Sequence, residues 1–248
     1  MPTKIPLDVV LLPRDLRPNH LRDRAVLVFD VLRASTSITA ALHAGIEEIR
    51  IFGDTSSARA AAKAFDGPRL LCGEENCLPP PDFDLGNSPI AFERSKHAGR
   101  VAFMRTTNGT RAILAAQGAA AVYVGALVNA GAVAQAAAKT ERAITLLCAG
   151  TNEQVALEDL VGAGAVIAEL VSQAQVHLES DVAQIALKLF RSSESNLVAA
   201  IKESQGGKNV IAAGLQQDIE FAAHLNRIDK VGIAVGNPPV VVDNQQPL

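Results

Sequence analysis

Apolar residues fall in short runs along this 248-residue chain, separated by stretches in which Ala and polar residues recur at helical spacing. The runs at 7–12, 25–31, 48–52, 69–72, 100–104, 121–124, 144–148 and 231–235 are predicted strands. Several are unbroken Val, Ile and Leu without polar alternation, which suits strands covered by helices on both faces. Helical spacing predicts helices at 35–44, 56–65, 110–116, 130–139 and 158–171. Gly45 and Gly118 stand where a left-handed residue would close a helix. Strand alternating with helix predicts an α/β fold, a three-layer α/β/α sandwich around a largely parallel or in part mixed sheet.

From residue 180 the pattern changes. Three successive helices are predicted at 180–190, 194–203 and 215–225, with a glycine-rich break at Gly206–Gly207. The Pro-, Asn- and Gln-bearing tail, 237–248, is expected to be loosely held. No Pro- or Ser-rich linker interrupts the chain, so residues 1–248 are read as one domain with a helical C-terminal section. Within it, Arg33-ASTSITAALHAG resembles Arg105-TTNGTRAILAAQG: an Arg, a hydroxyl-rich turn, an Ala-rich helix and a closing Gly, each followed by another strand and helix. The pattern predicts a duplicated βαβα unit, with halves near 25–65 and 100–140. It would place two Arg/Ser/Thr turns at the carboxyl ends of two strands, where open α/β sheets bind ligands.

Composition narrows the partners. The chain is 48% hydrophobic and 20% charged, with no Trp and a single Tyr. Aromatic platforms for stacking bases are thus scarce. The net charge of −3 comes without a basic block, which argues against a nucleic-acid partner. No apolar run is long enough to cross a bilayer, and the N-terminal stretch lacks the pattern of a secretory signal. Cys72, Cys77 and Cys148 are odd in number and outside any metal-ligand spacing, so they are read as free thiols in a reducing cytoplasm. An Ala-rich surface suggests a homo-oligomer, a dimer in the first instance. The five histidines form no HxH, HExxH or HxxxH pattern, and neither a nucleophile elbow nor a dinucleotide fingerprint occurs.

Candidate chemistry lies where strands end. In DVLRASTS, Asp30 interrupts an apolar strand, and a buried carboxylate is costly unless paired, hydrogen-bonded or metal-bound. Arg33, Ser35 and Thr36 follow at a helix start, where free backbone N–H groups favour an anion. Plain helix capping by Ser35 and an Asp30–Arg33 pair compete with that reading. The turn Arg105, Thr106, Thr107, Asn108, Gly109, Thr110 is a denser donor array; its Asn-Gly pair accepts positive φ and would let N–H groups turn inward on an anion. It lacks the lysine of a nucleotide P-loop. Glu74 follows a strand directly, and Asp84 leads into the constrained turn Gly86-Asn87-Ser88-Pro89, whereas Glu75 and Asp82 read as surface acids. Glu158 and Asp159 open a helix, as the helix dipole alone would favour, yet adjacent carboxylates can also hold Mg²⁺.

Taken in order, DVLRASTS, GEEN with DFDLGNSP, RTTNGTRA, VGALVNAGAVA and CAGTNEQVALEDLVGAG resemble the 2-phosphosulfolactate phosphatase (ComB) family over roughly residues 26–167. The segment ESQGGKNVIAAGLQQDIEFAAHLNRIDKV is similar to that family's C-terminal part. The resemblance implies a Mg²⁺-dependent phosphatase that converts 2-phospho-3-sulfolactate to 3-sulfolactate and phosphate, on a route to coenzyme M. It carries Asp30, Arg33, Ser35 and Thr36, then Glu74, Asp84 and Asn87, Thr106 to Thr110, Asn129, and Glu158 with Asp159 into the site. Asp30 with some of Glu74, Asp84, Glu158 and Asp159 would hold Mg²⁺, while Arg33 and Arg105 would grip the substrate's anions. Asp30 is either ligand or phosphoryl acceptor. One departure from the family's pattern is Asp82 in place of the usual Gly before Phe83, in a loop placed to bear on substrate entry. Two alternatives stand beside hydrolysis: a lyase or isomerase, or a non-catalytic protein that binds a small phosphorylated or sulfonated metabolite.

Overall fold

The computed structural model describes residues 4–173 and 176–245. Ten strands form one sheet: β1 (Ile5–Val10), β2 (Ala25–Phe29), β3 (Glu48–Ile51), β4 (Arg69–Gly73), β5 (Val101–Arg105), β6 (Ala121–Gly125), β7 (Ile144–Cys148), β8 (Val176–Leu178), β9 (Gly232–Val235) and β10 (Val240–Asp243). The helices are α1 (Ala34–His43), α2 (Thr55–Lys63), α3 (Arg94–His97), α4 (Gly109–Ala115), α5 (Ala130–Ala138), α6 (Leu157–Ser172), α7 (Asp181–Ser193), α8 (Leu197–Glu203), α9 (Gln205–Ala212) and α10 (Gln216–Ala222).

The sheet runs in the order β4-β5-β3-β10-β9-β6-β2-β7-β1-β8. The flanking strands pair in parallel, and the β9–β10 hairpin joins the two groups through antiparallel ladders to β6 and β3. In β2, Leu27 and Phe29 face a cluster built from α5, α6 and the C-terminal helices, while Val26 and Val28 face α1 and α4. This is why β2 reads as an unbroken apolar run: its period-2 alternation puts each side chain into one of two cores. Helix α2 covers the same face as α5 and α6, over Leu71, Val101 and Phe103. The arrangement is the expected α/β/α sandwich with a helical C-terminal section.

Two expectations are corrected. The tail is not loose where described: Val240–Asp243 is a strand in the middle of the sheet, Val241 is fully buried, and the Asp243 carboxylate pairs with Lys230. Four residues behind Pro238-Pro239 carry too little periodicity to announce a strand, and the hairpin partner supplies what the local sequence lacks. Residues 246–248 lie outside the described part. Val241→Asp is accordingly expected to cost about 3 kcal/mol or more, because an unpaired charge would enter the core; urea unfolding followed by circular dichroism measures it.

Nor do Gly206 and Gly207 break a helix. Both lie in the first turn of α9, whose N-terminus is capped by Ser204 Oγ accepting from Gly207 N–H at 2.9 Å. They are glycines for want of space: a Cβ at Gly206 would stand 1.9 Å from Glu158 Oε1, and one at Gly207 would stand 2.1 Å from the Ile201 carbonyl oxygen.

The turns after β2 and β5 lie at strands five positions apart, which in a flat sheet would separate them by roughly 24 Å. They nevertheless meet. A Cβ at Gly109 would fall 2.5 Å from Ala34 Cβ and 2.7 Å from Asp30 Oδ2. Accumulated strand twist curls the sheet around α1 and α4 and brings their starts together.

Candidate active site

A cavity of about 500 Å³ opens where these ends converge, lined among others by Asp30, Arg33, Glu74, Asn87, Thr107 and Asn108. The far wall comes from Thr151 and Asn152 after β7 and from Gly206, Asn209 and Val210 of α9.

Asp30 is the buried carboxylate at its floor. Its Oδ1 accepts from Ala34 N–H at 3.1 Å, and its backbone N–H donates to Ser35 Oγ at 3.1 Å. Burial, reinforced by the nearby charges of Glu74 and Glu158, pushes its pKa up to about 7, against the lowering effect of the Ala34 N–H. Glu158 and Asp159 are buried beside it. Burial raises both pKa values, and Glu158 and Asp30 raise that of Asp159 further. Asp159 is a clamp between strand ends: Oδ1 accepts from Val31 N–H at 2.8 Å and Oδ2 from Gly150 N–H at 2.9 Å. Glu74 ties two loops in the same way, accepting from Thr107 N–H at 2.6 Å and Cys77 N–H at 3.0 Å. Glu158 differs: its buried Oε2 finds no hydrogen-bond partner among the described residues.

Arg33 is sequestered. Its Nη1 donates to Asp218 Oδ2 at 2.8 Å and its Nη2 to the Cys77 carbonyl, while Ser88 Oγ donates to the other Asp218 oxygen at 2.5 Å. The guanidinium thus lines the cavity with both its position and its charge already fixed by a buried acid. Asn87, also buried, lines the cavity, and its Oδ1 has no partner among the described residues.

Several sequence-predicted site residues lie elsewhere or are already occupied. Asp84 is exposed, and its Oδ2 accepts from Leu71 N–H at 2.7 Å on the β4 edge, so it does not join the acids around Asp30. Arg105 does not line the cavity; it donates to the Glu74 carbonyl at 3.1 Å and approaches Glu75 at 3.4 Å. The hydroxyls of Ser35 and Thr36 serve their own turn: Thr36 Oγ1 donates to the Val31 carbonyl at 2.8 Å, and Ser35 Oγ receives the Asp30 N–H. Thr106 and Thr110 bond each other reciprocally, Thr110 N–H to Thr106 Oγ1 at 3.1 Å and Thr110 Oγ1 to the Thr106 carbonyl at 2.8 Å. For these four hydroxyls, local capping prevails over anion binding. The backbone of the Thr107–Gly109 turn remains next to Asp30.

Asn129 does not line the cavity. Its Oδ1 accepts from Ala126 N–H at 2.8 Å, and its amide nitrogen lies 3.1–3.3 Å from Lys230 O, Val124 O and Thr39 Oγ1, of which two can accept at once. Asn129→Ala is therefore expected to cost roughly 3 kcal/mol by stranding buried backbone groups. Turnover per folded molecule should stay within about three-fold; paired urea melts and initial rates check both. Asp82, the departure in the PPPDFD loop, is exposed and forms a fork with Arg59 at 2.6 Å through both oxygens, away from the cavity lining.

Sequence reading overlooked Asp218, the partner of Arg33, and the α9 wall. Their signal was the C-terminal segment ESQGGKNV…LQQDIE, in which an acid in a first helical turn is ordinary by itself. Among the described residues, no three His, Cys, Asp or Glu side chains converge closely enough to cage a metal ion by themselves. Nor is any helix among them long and apolar enough to cross a membrane.

Comparison with known proteins points to one family. A family model described as 2-phosphosulpholactate phosphatase matches residues 10–237. A probable 2-phosphosulfolactate phosphatase of Carboxydothermus hydrogenoformans is 37% identical over 225 residues, covering 91% of each chain. One from Deinococcus radiodurans is 38% identical over 214 residues, 86% of this chain and 88% of the relative. A third, from Symbiobacterium thermophilum, is 35% identical over 210 residues, 84% and 90% of the two chains.

Proposed function

Because the chain belongs to the 2-phosphosulpholactate phosphatase family, we propose that it hydrolyses a phosphate monoester of a small anionic 2-hydroxy acid, 2-phospho-3-sulfolactate, to 3-sulfolactate and phosphate. The observation that carries the reading is a buried cluster of three carboxylates, Asp30, Glu158 and Asp159, beside a cavity that also presents Arg33. Acids so placed oppose an anionic substrate unless a cation stands between them, which is the situation of phosphoryl transfer.

The donor set fits Mg²⁺. This ion usually takes one or two protein carboxylates and fills its other positions with water and substrate oxygens, so a complete protein cage is not required. Asp159 and Glu74 already have both oxygens on backbone N–H groups. That leaves Asp30 and Glu158, with its unpartnered Oε2, to hold the ion. When bound, it would neutralise phosphoryl charge and lower the pKa of a bound water.

The protein's own groups do the rest. Arg33, immobilised by Asp218, presents a cation whose geometry costs little to organise when substrate arrives. The Asn108 N–H and the Asn87 amide NH2 would orient the phosphoryl oxygens, since the Thr107 N–H is held by Glu74 and the Gly109 N–H faces Asp30. Asp159 and Glu74 keep the ends of β2, β5 and β7 in register around Asp30. The test is inorganic phosphate release from 2-phosphosulfolactate across a Mg²⁺ titration. We expect release that EDTA abolishes and Mg²⁺ restores. Absence of release at every metal concentration would overturn the hydrolytic reading, and undiminished release in EDTA would remove the metal.

A further inference from the structure

The cavity at Asp30 is poorly supplied with cations for a substrate bearing three anionic groups. Arg33 lines it but is paired with Asp218, Arg105 is not in its lining, and Asp30 and Glu74 are acids. A second cavity of about 380 Å³ adjoins it, and Asn108 lines both. Its walls carry two more arginines, Arg14 from the turn after β1 and Arg111 from α4, together with Glu153.

The two cavities share construction on both sides. Asn108 caps α4 and Arg111 follows three residues later, so the two lie on one helix face about 5–6 Å apart at Cβ. On the opposite side, Thr151 and Asn152 line the first cavity and the next residue, Glu153, lines the second. The only ion pair Arg111 makes among the described residues is with Glu153, at 3.5 Å with both side chains more than half exposed. Such a pair contributes little and is readily exchanged. Arg14 is exposed and forms no ion pair among the described residues.

We propose that Arg111, assisted by Arg14, forms a subsite for the substrate's second strong anion, the sulfonate that is not transferred, and that Glu153 occupies Arg111 until substrate displaces it. Guanidinium groups suit this task because their planar donors match the oxygens of a sulfonate or carboxylate. The subsite makes Arg111 and Glu153 specificity-determining residues rather than catalytic ones. The inference rests on the hydrolytic reading above for the identity of the substrate, but not for the existence of an anion site.

Two measurements keep those questions apart. In the first, kcat and KM are determined for 2-phosphosulfolactate and for 2-phospholactate, which lacks the sulfonate. Arg111→Gln should lower kcat/KM for the sulfonated ester at least about ten-fold more than for phospholactate, mainly through KM. Glu153→Gln should lower KM for the sulfonated ester several-fold, since the competing carboxylate is gone. Equal losses on both esters, or an unchanged KM in both variants, would overturn the subsite. In the second, 3-sulfolactate binding to the full chain is followed by calorimetry, with no turnover involved. Weaker binding by Arg111→Gln and tighter binding by Glu153→Gln support the subsite even if phosphate release fails. Equal affinity in all three proteins overturns it even if release succeeds. Both side chains are exposed, so unchanged melting temperatures are expected to accompany the effects.

Discussion

Asp30→Asn is expected to abolish phosphate release, a loss of about 10³-fold or more, while raising the melting temperature of the metal-free protein at pH 8. The two effects have one cause. Folding buries this carboxyl beside Glu74 and Glu158, lifting its pKa from 3.8 to about 7. Between those values the folded state binds a proton that the unfolded state has released. Stability attributable to Asp30 therefore falls as pH rises from about 4 to 7, and the loss persists above. At about 1.4 kcal/mol per unit the penalty is at most roughly 4 kcal/mol for the wild type at pH 8. Asparagine removes it. In EDTA the variant should melt above the wild type at pH 8, with the gap closing toward pH 4. Added Mg²⁺ should stabilise the wild type and leave the variant nearly unmoved. Activity within a few-fold of wild type at all Mg²⁺ levels, or a lower melting temperature than wild type at pH 8 in EDTA, would sink this account of the residue.

The second large effect concerns Arg33 and Asp218, whose side chains are 3% and 1% exposed and 2.8 Å apart. Arg33→Met would strand a buried carboxylate with only Ser88 as a side-chain donor, a loss expected to cost about 3–5 kcal/mol. Removing both charges together, as Arg33→Met with Asp218→Leu, should restore most of that stability, because neither charge is then left unpaired. Activity should not return, since Arg33 lines the cavity and its guanidinium has no replacement. Urea unfolding of the two single variants and the double variant gives the coupling directly. A double variant no more stable than the worse single one would show that the pair is not the unit described here.

How far this was legible in the sequence varied by element. The β/α alternation placed eight strands within a few residues of their observed limits, because buried parallel strands and amphipathic helices leave strong, regular patterns. The two strands it left out, Val176–Leu178 and Val240–Asp243, have three and four residues. Too short to show a period, they are specified by neighbours remote in the chain. At the site, Asp30, Arg33 and Glu74 are read from strand ends and Glu158 with Asp159 from a helix start, while Asn87 and the grouping come from the family resemblance. Asp30, Arg33, Glu74 and Asn87 line one cavity, with Glu158 and Asp159 buried near Asp30. Where the structure gives candidate residues other partners, the pattern is of one kind. Ser35, Thr36, Thr106, Thr110, Asn129 and Asp84 are polar groups next to unsatisfied backbone, and the backbone claimed them first. A sequence shows that a donor exists but not whether a nearer partner occupies it.

What the sequence by itself determined is the class of fold, the places where chain turns meet strand ends, and the kinds of group available there. These are local properties, set by side-chain periodicity and turn chemistry. What only the tertiary structure decided is which of those groups meet. The curl of the sheet brings the turns after β2 and β5 against each other, although they are 75 residues apart in sequence from Arg33 to Asn108. Gly206 lets α9 close over Glu158, and Asp218 reaches across the chain to hold Arg33. Each depends on a close approach between distant segments, which packing enforces and local sequence cannot encode.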